Sequence, residues 1–101
     1  MKMKTLVILE VSRKQDYIFS SKQLRDNVRR SDEISCVTSE KFFQKAAGKQ
    51  YHPENMVYSG GGHTILQFES REQAVDFTRQ VTEAAIRQYP QMELFAKVMA
   101  Y

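Results

Sequence analysis

Residues 55–68, NMVYSGGGHTILQF, place a glycine-rich link between two short runs of strand-forming residues. The runs are NMVY at residues 55–58 and TILQF at residues 64–68. Short apolar runs joined by glycine predict a β-hairpin. Three consecutive glycines also let a phosphate or a base approach bare backbone N–H groups. The hairpin is therefore the first candidate binding element of the chain.

Upstream of the hairpin, residues 4–11 (KTLVILEV) are almost entirely apolar and rich in β-branched side chains. This pattern predicts a central strand that is buried on both faces. A turn of helix is predicted at residues 15–19. Apolar residues then recur at helical spacing and predict one helix over residues 26–47, ended by Gly48. The stripe comprises Val28, Ile34, Val37 and Phe42.

Downstream of the hairpin, residues 70–73 (SREQ) have the form of a helix capping box. A second helix is predicted to follow and to end before Pro90. Residues 92–101 alternate, with Met92, Leu94, Ala96 and Val98 on one side and Glu93, Phe95, Lys97 and Met99 on the other, which predicts a half-buried last strand.

The predicted order of elements is β-α-β-β-α-β. It indicates an α+β, ferredoxin-like fold with a four-stranded antiparallel sheet and two helices on one face. The other face would be uncovered and would carry Phe95, Lys97 and Met99. Such a face commonly meets a partner domain, a second copy or a ligand.

Length and composition predict one soluble domain, since the chain has 101 residues, 42% hydrophobic and 27% charged. No apolar run approaches the roughly 20 residues of a membrane span, so no membrane partner is expected. The single Cys36 cannot form an internal disulfide, which favours the reducing cytoplasm. The net charge is +3, and the positive charges are concentrated in residues 13–30. This segment is either a solvated helix face or a patch that attracts phosphate.

Residues 10–20, EVSRKQDYIFS, resemble the Asp-Ile-Ser-Gly-Ile-Gln-x-Phe-Ile-Phe signature of the large subunit of type III CRISPR effector complexes. Residues 24–31 (LRDNVRRS) resemble the Leu-Arg…Arg…Ser stretch that follows this signature. Residues 58–63 (YSGGGH) resemble the hairpin that reads Gly-Gly-Asp-Asp in a catalytic palm. The resemblance covers essentially the whole chain in the correct order. It implies a palm domain related to GGDEF-type and class III nucleotide cyclases, within an antiviral system that makes cyclic oligoadenylate.

Departures from the family pattern point to a palm without catalysis. Gly62 and His63 stand where catalytic members carry paired aspartates, and Glu10 replaces the aspartate of the first strand. One hard oxygen ligand is too few to assemble two magnesium ions. The chain therefore resembles the first palm of these subunits, which helps to bind ATP and pairs with a catalytic second palm. By itself it is not expected to be an enzyme.

The resemblance implies ATP as the cofactor, with Glu10 as the single candidate ligand for magnesium. The expected partner is a second palm or a homodimer mate, and through it CRISPR effector subunits and RNA. The whole chain, residues 1–101, would then be one domain of a longer protein. The predicted nucleotide-binding residues are Glu10, Ser12, Gln15, Phe19, Ser59, Gly60, Gly61, Gly62 and His63, and the predicted phosphate or partner patch is Arg25, Arg29 and Arg30.

Plainer interpretations remain open for each residue. Glu10 either faces a ligand at the strand mouth or pairs with an arginine such as Arg13 or Arg29. His63 contacts a ligand, pairs with Glu10, or is an exposed histidine at the start of a strand. Ser12 and Gln15 could cap a turn instead of contacting a nucleotide. The glycines could serve only to form a hairpin turn.

A free-standing ferredoxin-like module that binds RNA or a protein across the open sheet is the alternative function. RNA-recognition domains of this topology stack bases on aromatic residues of the two central strands. Here the first strand has no aromatic residue, and the third offers only Phe68.

Overall fold

The computed structural model describes residues 4–20, 22–60 and 62–100. Four strands form one sheet in the order β2-β3-β1-β4, and every neighbouring pair is antiparallel. This order confirms the predicted ferredoxin-like α+β fold. The elements are β1 (Thr5–Ser12), α1 (Lys14–Ile18), α2 (Leu24–Val37), α3 (Glu40–Ala47), a 3₁₀ turn (Pro53–Asn55), β2 (Met56–Gly60), β3 (His63–Phe68), α4 (Arg71–Gln88) and β4 (Glu93–Ala100).

Strand β1 is central, as predicted, but the prediction that both its faces are buried is wrong. Its odd-numbered residues from Thr5 to Val11 are buried, whereas Leu6 and Ile8 are half-buried and Glu10 is exposed. The physical reason is that the helices cover one face of the sheet only. An apolar run cannot reveal this arrangement, because Leu6 and Ile8 are as apolar as the residues they alternate with.

The single helix predicted over residues 26–47 is also wrong, because the structure divides it into α2 and α3. The break falls at Thr38 and Ser39, and the extended Ser39 accepts a hydrogen bond from the Phe42 N–H at 3.3 Å. Hydroxyl side chains compete with helical backbone bonds and favour such caps. The predicted apolar stripe fails at Val28, which is 55% exposed.

The core lies between the covered face of the sheet and the helices α2, α3 and α4. At its centre, the rings of Phe43 and Phe77 stand 5.3 Å apart, and those of Phe68 and Phe77 5.0 Å apart. Helix α4 begins as predicted, since Ser70 Oγ accepts from the Gln73 N–H at 3.2 Å. Among the described residues, the helices are too short or too polar to span a membrane.

The open face of the sheet carries the second set of alternating side chains. Strand β4 alternates as predicted between half-buried and exposed positions, and Phe95 is 66% exposed. In the register of β1 with β4, Glu10 pairs with Phe95 and Ile8 pairs with Lys97. An apolar face bordered by charges is therefore left without cover from this chain.

Candidate functional site

The end of β1 and the β2–β3 hairpin lie side by side. Glu10 of β1 is the register partner of His63 of β3. One residue further along, the Val11 N–H donates a hydrogen bond of 2.9 Å to the Gly62 carbonyl. The topology thus brings together the first predicted motif and the glycine hairpin, which are about fifty residues apart in the sequence.

Glu10 and His63 face each other on the open side of the sheet. His63 Nδ1 lies 3.9 Å from Glu10 Oε2, and the Glu10 side chain is 52% exposed. Of the open interpretations for Glu10, pairing with an arginine is wrong. Arg13 pairs with Asp16 at 2.9 Å, and Arg29 pairs with acidic neighbours on its own helix. Glu10 therefore stands at the mouth of the strand, where it can meet a ligand.

The two described glycines of the hairpin differ in what they require. Gly62 is buried with φ of +79°, and a Cβ built on it would stand 2.7 Å from Ile34 Cγ2 and 3.5 Å from the Lys14 side chain. Gly60 is exposed, and a Cβ there would meet only the mobile end of the Tyr58 side chain, at 3.1 Å. The positive φ and the close packing explain Gly62, whereas neither applies to Gly60, which is exposed at the end of β2. The predicted Gly61 lies outside the described residues.

Ser59 uses its hydroxyl for the fold. Its Oγ donates to the Thr38 carbonyl at 2.8 Å, and Thr64 Oγ1 donates to the same carbonyl at 3.0 Å. The two hydroxyls therefore clamp the hairpin to the break between α2 and α3. We refer to Thr38, Ser59 and Thr64 as the hydroxyl clamp. The hydroxyl clamp was not predicted, because it depends on a helix break that the apolar stripe does not indicate.

The turn between β1 and α1 completes the site. Ser12 Oγ donates to Glu93 Oε2 at 2.9 Å, so it bridges to β4 instead of capping the turn. Gln15 is exposed, and Phe19 is 66% exposed at the end of α1. Residues 10–16 border an open cleft of about 510 Å³. Of the predicted side chains, Glu10, Ser12 and Gln15 share this cleft.

The predicted arginine patch is divided by the structure. Arg30 donates to the Tyr17 carbonyl at 3.0 Å and to the Ser20 hydroxyl, and it lies 5.3 Å over the Tyr17 ring. Arg25 and Arg29 are exposed on α2. Arg30 therefore ties α1 to α2, and only the other two remain displayed on the surface.

Tyr17 adds a second tie between the same helices. Its hydroxyl donates to Glu33 Oε2 at 2.6 Å. Burial, followed by this hydrogen bond, raises the pKa of Tyr17 to about 12. The two aromatic residues of the first motif therefore differ: Tyr17 connects α1 to α2, whereas Phe19 is exposed.

The donor set does not fit a pair of magnesium ions. Among the described residues, no three His, Cys, Asp or Glu side chains are grouped so as to hold a metal ion. Glu10 has His63 as its neighbour, and Asp16 is engaged by Arg13. Magnesium prefers several oxygen ligands in near-octahedral geometry.

Comparison with known proteins links this geometry to one group of solved structures. No family model and no curated protein sequence matches the chain. The apo Csm1-Csm4 cassette matches with a TM-score of 0.74 and 18% identity over 99% of this chain. Csm1 in T. onnurineus matches with a TM-score of 0.68 and 17% identity over 100% of this chain. The Csm1-Csm4 cassette in complex with cA3 matches with a TM-score of 0.70 and 19% identity over 96% of this chain.

These matches confirm, at the level of the fold, the predicted resemblance to the large subunit of type III CRISPR complexes. The chain spans only 14–15% of the length of the matched chains.

Proposed function

We propose that this chain is a degenerate palm domain that binds ATP or a related nucleotide and pairs with a second palm in a type III CRISPR signalling polymerase. The observation that carries the proposal is the junction between the end of β1 and the hairpin. There Glu10 stands opposite His63, and the Val11 N–H bonds the Gly62 carbonyl at 2.9 Å. His63 pairs with Glu10, which borders the cleft of residues 10–16, and on its other side it pairs with the exposed Gly60 of β2.

The ligands of the similar structures support a nucleotide as the occupant. Csm1-Csm4 cassettes have been solved in complex with AMPPNP, one ATP, pppApA and cA3. A cleft bordered by polar side chains and open backbone suits the sugar and phosphates of such molecules. We extend the ligand class, though not the reaction, to this chain.

A binding role without catalysis follows from the residues present. Phosphoryl transfer by two metal ions needs several carboxylates close together. The hairpin offers Gly62 and His63 at the corresponding positions, and Glu10 lacks companion ligands among the described residues. We therefore assign the chemistry to a partner palm, as the second domain of a longer protein or as another chain.

The open face supports pairing. Phe95, Tyr58 and Met99 on this face are 66%, 53% and 37% exposed. Large exposed apolar side chains on one face are typical of an interaction surface. Phe95 and Tyr58 adjoin the Glu10–His63 pair, so a partner that covers these two side chains would also close the nucleotide site.

The test is two-dimensional NMR of labelled protein, titrated with ATP. Saturable shifts are expected at Gly60, Gly62, Ser12 and Gln15. Gly60→Ala adds one methyl group at the hairpin and should weaken ATP binding, because the methyl group obstructs approach to the backbone. The fold should persist, since only the Tyr58 side chain must move to admit the methyl group. Met99→Ala, near the other end of the open face, is the matched control and should leave ATP affinity unchanged. Shifts absent from the hairpin and from the β1–α1 turn would overturn the proposal.

The RNA-binding alternative loses its best residue in the structure. Phe68, the aromatic residue of β3, is 2% exposed and packs against Phe77 in the core. The central strands therefore present no Phe, Tyr or Trp on the described open face for base stacking. Single-stranded RNA binding that is steeply salt-dependent and sensitive to Lys97→Gln would favour this alternative over the nucleotide site.

A further inference from the structure

Two consecutive cations follow β1: Arg13 links the strand to α1, and Lys14 is the first residue of that helix. Arg13 is in the left-handed region with φ of 53° and is the one described non-glycine residue with positive φ. Glycine adopts this conformation without strain, whereas a residue with a Cβ does not. The turn therefore holds a guanidinium at a position where backbone conformation alone would favour glycine.

Lys14 directs its side chain to the hairpin. Its Cδ and Cε each lie 3.5 Å from the position that a Cβ on Gly62 would occupy. The methylene chain of Lys14 therefore packs beside Gly62 of the hairpin. Arg13 and Lys14 both border the open cleft of about 510 Å³. The two residues thus place two positive charges at the border of this cleft.

We propose that Arg13 and Lys14 bind the phosphate chain of a nucleoside triphosphate in place of magnesium ions, so that binding at this cleft requires no divalent cation. The inference rests on the proposed function and names the chemistry by which the site would work. A triphosphate needs its negative charge balanced, and the described carboxylates do not form a metal site. Arginine supplies forked donors that match phosphate oxygens, and lysine supplies a compact charge.

Asp16 is the internal competitor for Arg13. The pair is 2.9 Å apart, with the two side chains 69% and 68% exposed. An exposed ion pair of this kind is weak, whereas a phosphate offers stronger charge-assisted hydrogen bonds. A phosphate should therefore displace Asp16. Replacing Asp16 by asparagine removes the competing charge and should tighten phosphate binding.

The experiment is calorimetric titration in EDTA with ATP, ADP, AMP and inorganic tripolyphosphate. Affinity is expected to rise with the number of phosphates and to gain nothing from added magnesium. Arg13→Gly and Lys14→Gln should each weaken ATP binding by roughly tenfold, the loss expected for one charge-assisted hydrogen bond. Arg13→Gly also relieves the positive φ, so unfolding cannot explain its effect. Asp16→Asn should bind more tightly, and the exposed cation variant Lys49→Gln should match the wild type.

The outcomes separate this inference from the proposed function. ATP binding that appears only with magnesium, or that is unchanged in both Arg13→Gly and Lys14→Gln, overturns the inference and leaves the nucleotide site. Tripolyphosphate binding that Arg13→Gly abolishes, without ATP binding under any condition, supports the phosphate pair and overturns the proposed function. Binding of neither probe overturns both.

Discussion

Alanine substitutions at Gly60 and Gly62 should have unequal consequences for stability. Gly62 has φ of +79°, and a Cβ there would stand 2.7 Å from Ile34 Cγ2 in a buried position. Gly60 has an ordinary φ, and its added Cβ would meet only the Tyr58 hydroxyl, at 3.1 Å. Both substitutions add one methyl group to the same hairpin, so each is the control for the other.

The magnitudes follow from three contributions. A left-handed alanine costs about 1–2 kcal/mol, and overpacking against Ile34 costs a further 1–3 kcal/mol or so. The lower entropy of the unfolded chain offsets roughly 0.4–1 kcal/mol of either substitution. Gly62→Ala should therefore lower the free energy of unfolding by about 2–4 kcal/mol. Gly60→Ala should change it by less than about 1 kcal/mol, because Tyr58 is exposed and can move.

Urea unfolding followed by circular dichroism measures both values, with the denaturant dependence checked for equality between variants. Wild-type stability of about 5–15 kcal/mol leaves room for either loss. Equal destabilisation by the two substitutions would refute the assignment of Gly62 to packing. It would show that the hairpin glycines are required for a reason that they share.

Three further substitutions test the elements that hold the site. In the hydroxyl clamp, Ser59→Ala and Thr64→Val should each lower the free energy of unfolding by about 1 kcal/mol. The double variant should lower it by more than their sum, because only then does the Thr38 carbonyl lose both donors. Additive losses in urea unfolding would contradict the shared acceptor. Ser39→Ala removes the cap of α3 and should cost about 1 kcal/mol by the same assay, with an unchanged midpoint counting against the helix break. The pKa of Tyr17 is raised from 10.0 to about 12 in the folded protein, so the stabilisation that it contributes is complete below about pH 10 and is lost as the pH rises toward 12. Tyr17→Phe should make this loss of stability shallower and remove a late step from the tyrosinate absorbance titration. An unchanged titration would contradict the raised pKa.

The fold was predictable because its signals are local and mutually consistent. The alternation of β4, the hairpin glycines and the Ser70 cap each specify one element, and the order of elements then leaves few topologies. The helix break was not predictable from the stripe, since Ile34, Val37 and Phe42 remain buried on both sides of it. The adjacent hydroxyls of Thr38 and Ser39, followed by acidic Glu40, were the available signal.

The position of the candidate site in the fold was predictable, whereas the contacts of its side chains were not. Strand pairing follows from topology, so the meeting of Glu10 with the hairpin could be expected. Side-chain direction could not, and it decides the roles of Ser59, Arg30 and Lys14. Ser59 points to the helix break and Arg30 is engaged by α1. Lys14, for which the first motif and the basic segment predicted no individual contact, packs beside the hairpin.

Glu10 and His63, two of the three positions at which a catalytic palm would carry carboxylates, are separate from the contacts that hold the hairpin, whereas the third, Gly62, is one of those contacts. The hairpin is held by the Val11–Gly62 backbone bond, by the packing of Ile34 on Gly62 and by the hydroxyl clamp. Glu10 and His63 lie on the opposite, open face, 3.9 Å apart and partly exposed. Changes at those two positions therefore alter the chemistry of the site at little cost to its shape. Under the proposed function, the open face at Glu10 and His63 can therefore change while the hairpin keeps its shape, and the charges of Arg13 and Lys14 decide what binds beside it.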